Sequence, residues 1–108
     1  MNPSGKRKEV MDTVTLEMDL CYEDFTPAEL VRGKDVTSNY LFQPDGPLFL
    51  PPGLATATIH DPEGPGGGNP VIRIRFYHEE DAEAWYEEYY LPTMDGAGLD
   101  YDQLVRNV

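Results

Sequence analysis

The sequence predicts a small α+β domain, an antiparallel sheet of three or four strands with helices on one face. Three observations predict it. Three runs alternate apolar and polar residues with a period of two, the signature of half-buried strands. One segment, residues 79–90, carries its apolar residues at helical spacing instead. Ten glycines and ten prolines punctuate the 108 residues, so connections occupy much of a chain long enough for one domain only.

The order of elements follows from the residues themselves. Residues 1–9 read as a flexible basic tail holding Lys6, Arg7 and Lys8, and residues 10–108 as the domain. Between Val10 and Leu20, Val14, Leu16, Met18 and Leu20 point one way and Thr13, Thr15, Glu17 and Asp19 the other, which predicts a strand. Thr26-Pro27-Ala28-Glu29 predicts a helix start, with Thr26 as cap, Pro27 at the first helical position and Glu29 closing a capping box. Gly33 would stop that helix after two turns, Pro27 to Arg32. From Val36 to Pro52, Tyr40-Leu41-Phe42 and Leu48-Phe49-Leu50 are apolar, and Pro44-Asp45-Gly46-Pro47 forces a turn between them. Short extended pieces packed on the core are expected there.

Leu54 to His60 and Val71 to Tyr77 alternate again, and the Gly/Pro-rich residues 61–70 between them predict an antiparallel hairpin with a long flexible loop. Glu79 to Tyr90 is the main helix. Ala82, Trp85, Tyr86, Tyr89 and Tyr90 fall at i, i+3, i+4, i+7 and i+8, Glu79, Glu80 and Asp81 suit the positive end of the dipole, and Pro92 is expected to end the element. Asp100 and Gln103 form a second capping box, starting a final helix whose Tyr101, Leu104, Val105 and Val108 share a face. This β-α-β-β-α order is most of a ferredoxin-like arrangement, lacking its last strand.

Composition narrows function. From Glu9 onward five basic residues face twenty acids, a net of −15. A nucleic acid or an anionic membrane would be repelled by such a body, because phosphate affinity rests on Lys and Arg. A basic protein would be attracted. One cysteine forms no internal disulfide, no run nears the roughly 18 apolar residues of a membrane span, and the basic start lacks the apolar stretch of a signal peptide. The cytoplasm is therefore the expected compartment. Cys21, His60 and His78 carry no metal-ligand or nucleophile spacing, with the two histidines expected at opposite ends of the hairpin and Cys21 half-buried. The glycine-rich loop lacks the G-x-x-x-x-G-K-[ST] pattern of a phosphate cradle. No catalytic residue, cofactor or metal is expected.

The most unusual feature is the acidic helix. Glu79, Glu80, Glu83, Glu87 and Glu88 share it with no Lys or Arg, and nothing basic occurs between Arg75 and Arg106. Glu79–Glu83 and Glu83–Glu87 are like-charge pairs at i, i+4, each destabilising by roughly 0.2–0.5 kcal/mol. Such a face either keeps a small protein soluble or fits a basic, phosphate-binding groove on another protein, as nucleic-acid mimics do. The expected contact set is Glu79, Glu80, Glu83, Tyr86, Glu87, Glu88, Tyr90 and Asp95. On the sheet, Arg73 and Arg75 are expected to pair with Glu17 and Asp19 across strands. The leading expectation is a non-enzymatic protein that binds a basic partner, as an inhibitor. The rivals are a self-associating structural module and a small enzyme or ligand-binding domain.

Overall fold

The computed structural model describes residues 12–107; the basic tail and Val108 lie outside the described residues. Four strands form one sheet: β1 (Val14–Asp19), β2 (Ala55–Asp61), β3 (Val71–Phe76) and β4 (Val105–Arg106). Their order is β2-β3-β1-β4 and every neighbouring pair is antiparallel. Period-two alternation sets the register. Leu16 faces Ile74, which faces Ala57, and Met18 faces Ile72, which faces Ile59. All of these are buried, five of the six at 0–1% exposure. Slipping any strand by one residue would turn its apolar set outward, which is why the pairing is unique.

The helical layer covers one face only. It comprises α1 (Glu79–Trp85), a π-turn (Tyr86–Tyr90), α2 (Leu91–Met94) and α3 (Tyr101–Leu104). Pro92 does not end the helix, as the sequence suggests it should; the chain stays helical to Met94. Proline lacks an N–H and its ring crowds the carbonyl four residues back. The wider π-turn accommodates it, with the Leu91 N–H bonding the Tyr86 carbonyl five residues back. The helix stops at Asp95 and Gly96, both left-handed at φ 50° and 88°.

The π-turn shifts the buried stripe. Ala82 and Trp85 face the core as expected, but the next buried residue is Tyr90, five positions on instead of four. Tyr86 and Tyr89 become half-buried flanks. The Trp85 ring packs on Phe76 at 5.6 Å and on Tyr90 at 6.3 Å, and its indole N–H donates to the Phe49 carbonyl at 3.0 Å.

One expected helix, Pro27 to Arg32, does not form, and another is shorter than its pattern suggests. The Thr26–Glu29 box forms, with the Thr26 N–H donating to Glu29 Oε1 at 2.8 Å and the Glu29 N–H to Thr26 Oγ1 at 3.3 Å. Hydrogen-bonded turns follow instead of a helix, because residues 33–37 are drawn onto the outer edge of β2: Gly33 and Val36 N–H groups donate to the Ile59 and Ala57 carbonyls, and the Ile59 N–H to the Lys34 carbonyl. Those bonds satisfy an edge that would otherwise stay open, whereas an isolated two-turn helix is marginal. The Asp100–Gln103 box also forms, but Val105 leaves the helix and enters β4 beside β1. That supplies the fourth strand and completes the strand order of a ferredoxin-like sheet, with its first crossover irregular instead of helical.

That crossover carries apolar residues into the core in turns, not in the extended pieces expected. A 3₁₀ turn at Tyr40–Phe42 is capped by Asn39, whose side chain accepts from the Leu41 N–H at 2.9 Å. Asn39 is itself buried, and its amide donates to the Asp24 carbonyl at 2.9 Å and to the Glu29 carboxylate at 3.2 Å. Leu48 and Leu50 then bond back to Leu41 and Phe42, burying all four side chains. Gly46 makes the reversal tight: a Cβ there would land on the carbonyl oxygens of Tyr40 and Leu41. Among the described residues no helix is long and apolar enough to cross a membrane.

Three substitutions test this packing by urea denaturation. Trp85→Ala is expected to cost about 3–5 kcal/mol, while Trp85→Phe, which keeps a ring but leaves the Phe49 carbonyl unpaired, costs roughly 1–3 kcal/mol. Gly46→Ala should destabilise by at least about 1 kcal/mol through the backbone clash, a loss no flexible side chain can relieve.

Candidate functional site

The first turn of α1 begins at His78, its N-cap residue, and the expected acids lie where the helix meets α3. A surface cleft of about 480 Å³ is lined by Glu80, Glu83, Ala84, Tyr86, Glu87 and Tyr101. Glu80, Glu83 and Glu87 occupy i, i+3 and i+7, one face of the helix, with the methyl of Ala84 between them. The opposite wall is aromatic. Tyr86 meets Tyr101 edge-on at 5.5 Å and stacks on Tyr90 at 5.3 Å. Its hydroxyl donates to the Leu99 carbonyl at 2.6 Å, tying the 97–100 loop to the helix.

Of the expected contact set, Glu79, Glu80, Glu83 and Glu87 are exposed on or beside this cleft, with Tyr86 half-buried in its wall. Glu88 and Asp95 are exposed but do not line it. Tyr90 is corrected: it is 3% exposed, and its hydroxyl accepts from the Leu99 N–H at 3.1 Å, so it is core, not contact surface. The π-turn is the reason, since it rotates Tyr90 inward. Sequence reasoning also missed Tyr101 as part of the site. Its position one residue after a helix cap was legible, but its approach to Glu83 depends on how α3 packs.

The acids are uncompensated. Among the described residues, every ion pair lies elsewhere: Arg32 with Asp61 at 3.4 Å, and Arg73 and Arg106 with Glu17 at 2.9 and 3.5 Å; His78 lies 3.6 Å from Asp12. The negative field is felt by the neighbouring phenols. Burial, reinforced by Glu79, Glu83 and Asp102, pushes the Tyr101 hydroxyl up to about 12. Burial also raises Tyr86, with Asp100 and Glu87 contributing. Among the described residues the Tyr101 hydroxyl is out of contact with solvent and has no hydrogen-bond partner.

The sheet's other face corrects the expected cross-strand pairing. Glu17 faces Arg73 directly, as expected, but Arg75 faces Thr15 and Asp19 faces Val71. The second cation on Glu17 is Arg106, brought by β4. Cys21 is exposed, not half-buried, because it lies past the end of β1 at the start of a 3₁₀ turn. His60 and His78 lie at opposite ends of the β2–β3 pair, and among the described residues no three His, Cys, Asp or Glu side chains cluster to hold a metal. A second groove of about 390 Å³ is lined mainly by Phe42, Pro44, Phe49, Leu50 and Pro52. No family model, curated protein or solved structure matches this chain.

Tyr101 offers a direct check on the acidic field. Between its ordinary value near 10 and about 12 the unfolded chain loses this proton while the folded one keeps it. The stabilisation is therefore complete below pH 10 and is lost as pH rises through 12. Tyr101→Phe should flatten that alkaline loss, measured by denaturation across the pH series, and Glu83→Gln should bring tyrosinate absorbance to lower pH.

Proposed function

We propose that this protein is a non-enzymatic binding protein whose acidic α1 face occupies a basic, phosphate-binding groove on a partner protein, acting there as an inhibitor. The observation that supports the reading is the set of exposed glutamates Glu79, Glu80, Glu83 and Glu87, grouped at one cleft with no cation paired to any of them among the described residues. Glu79 and Glu80 complement the helix dipole, but the like charges at i, i+4 destabilise a helix, so Glu83 and Glu87 bring the fold no gain. A partner presenting Lys or Arg side chains would relieve the repulsion on binding, and the clustered field would speed encounter.

The cleft suits that chemistry. A Lys or Arg stem can lie on Ala84 and the tyrosine wall while its head meets the carboxylates. Tyr86 is the aromatic anchor of this reading. The like-signed body disfavours a nucleic acid as the direct ligand.

The test is affinity capture from a cell lysate at low and at high salt, with the wild-type chain and with Glu83→Lys/Glu87→Lys. A basic protein captured at low salt, released at high salt and lost with the double variant is the expected outcome, since screening weakens such contacts. Capture that survives the double charge reversal in a folded variant would show that the acidic helix is not the binding surface.

A further inference from the structure

We propose that the open face of the sheet is a second binding surface, and that its occupant is the acidic helix of another copy of this chain. The residues facing away from the core form a grid. In one row Thr56, Arg75, Thr15 and Arg106 stand side by side on the four strands, and in the next Thr58, Arg73 and Glu17 do so. Arg73 and Arg106 share the single carboxylate of Glu17. Arg75, on a central strand, is exposed and has no acid in ion-pair reach among the described residues. A chain of net charge −12 thus gathers three of its guanidiniums on one face, where the acids are Glu17 and, one row further on, Asp19 and Asp61, the last paired with Arg32.

The spacing fits the acidic helix. Arg75 on β3 and Arg106 on β4 flank β1, two interstrand steps apart, which is roughly 9.5 Å. Glu80 and Glu87 lie seven residues apart, the last two in the π-turn, a rise of about 10 Å. A helix laid across the strands sets these two carboxylates against the two guanidiniums, while Thr15 between them is buried and takes no part in the contact. The open face and the helical layer lie on opposite sides of the sheet. The contact is therefore head-to-tail, and each added copy presents a fresh face for the next.

Salt acts differently on this contact than on capture of a basic partner. Two copies of like net charge repel at range, and only when the screening length falls to about 8 Å at physiological ionic strength does the local pairing prevail. Self-association should rise from very low to intermediate salt and fall again at high salt. Partner capture should only fall. The same helix serves both contacts, but the self-contact does not require the proposed partner to exist, and Arg75 lies on the face that partner would not touch.

The experiment is light scattering after size exclusion on the full chain at millimolar concentration, across a salt series. The wild type is expected to show a mass that grows with concentration and peaks at intermediate salt. Arg75→Glu alone, and Glu83→Lys/Glu87→Lys alone, should each weaken association at least about tenfold; mixing the two should restore it. Arg75→Gln, which places no new charge beside Thr15, supplies the same reading if Arg75→Glu fails to fold. A wild type that stays monomeric throughout, or variants that associate as the wild type does, would overturn the proposal. Capture of a basic partner by Arg75→Glu stays intact under the proposed function, so the two readings fail separately.

Discussion

The sheet has one apolar face, and covering that face is the constraint on which the rest of the structure depends. Trp85 is where the cover is joined. Its ring lies against Phe76 at the end of the central strand β3 and against Tyr90 in the helical layer, and its indole N–H reaches the backbone of the irregular crossover at Phe49. One side chain therefore links strand, helix and crossover. A single helical stretch of residues 79–94 cannot cover four strands, and the crossover supplies the remainder by turning Leu41, Phe42, Leu48 and Leu50 inward. Because that crossover is not a helix, its backbone needs other partners. Asn39, buried and bonded to Asp24, Glu29 and Leu41, provides several of them at once.

Pro92 has consequences well beyond its own position. The π-turn that accommodates it rotates the second half of the helix, which buries Tyr90 and leaves Tyr86 stacked on it at the cleft. Without that extra residue in the turn, Tyr89 would follow Trp85 into the core and the aromatic wall would be built from other rings. The cleft therefore owes its shape to a backbone irregularity, a common association in helices that carry binding sites.

Charge is segregated across the sheet. The helical layer holds nine acids between residues 79 and 102 and no base, while the open face holds Arg73, Arg75 and Arg106 around Glu17. The partly buried Arg73–Glu17 pair is a registry device as much as a source of stability, since it forms only when β1 and β3 are aligned as observed. The exposed acids have no such role in the fold. That contrast is why the helix, and not the sheet, is the surface proposed to meet a foreign partner.

Much of this was determined by the sequence alone. Alternation in Val14–Asp19 and Val71–Phe76, the helical stripe from Ala82, the capping boxes at Thr26 and Asp100, and the glutamates of α1 are local patterns, and local geometry decides which side each residue faces. Only the tertiary structure decided the rest. Tyr90 reads as a surface candidate until a π-turn rotates it inward. Val105 reads as helical until the free edge of β1 offers it a ladder. Arg106 reads as a terminal charge until β4 carries it to Glu17, and Tyr101 joins the cleft only through the packing of α3. For Tyr90 the cause is a local backbone irregularity; the other three are each settled by a partner distant in sequence, whose gain in burial or hydrogen bonding exceeds the small local preference that a sequence pattern reports.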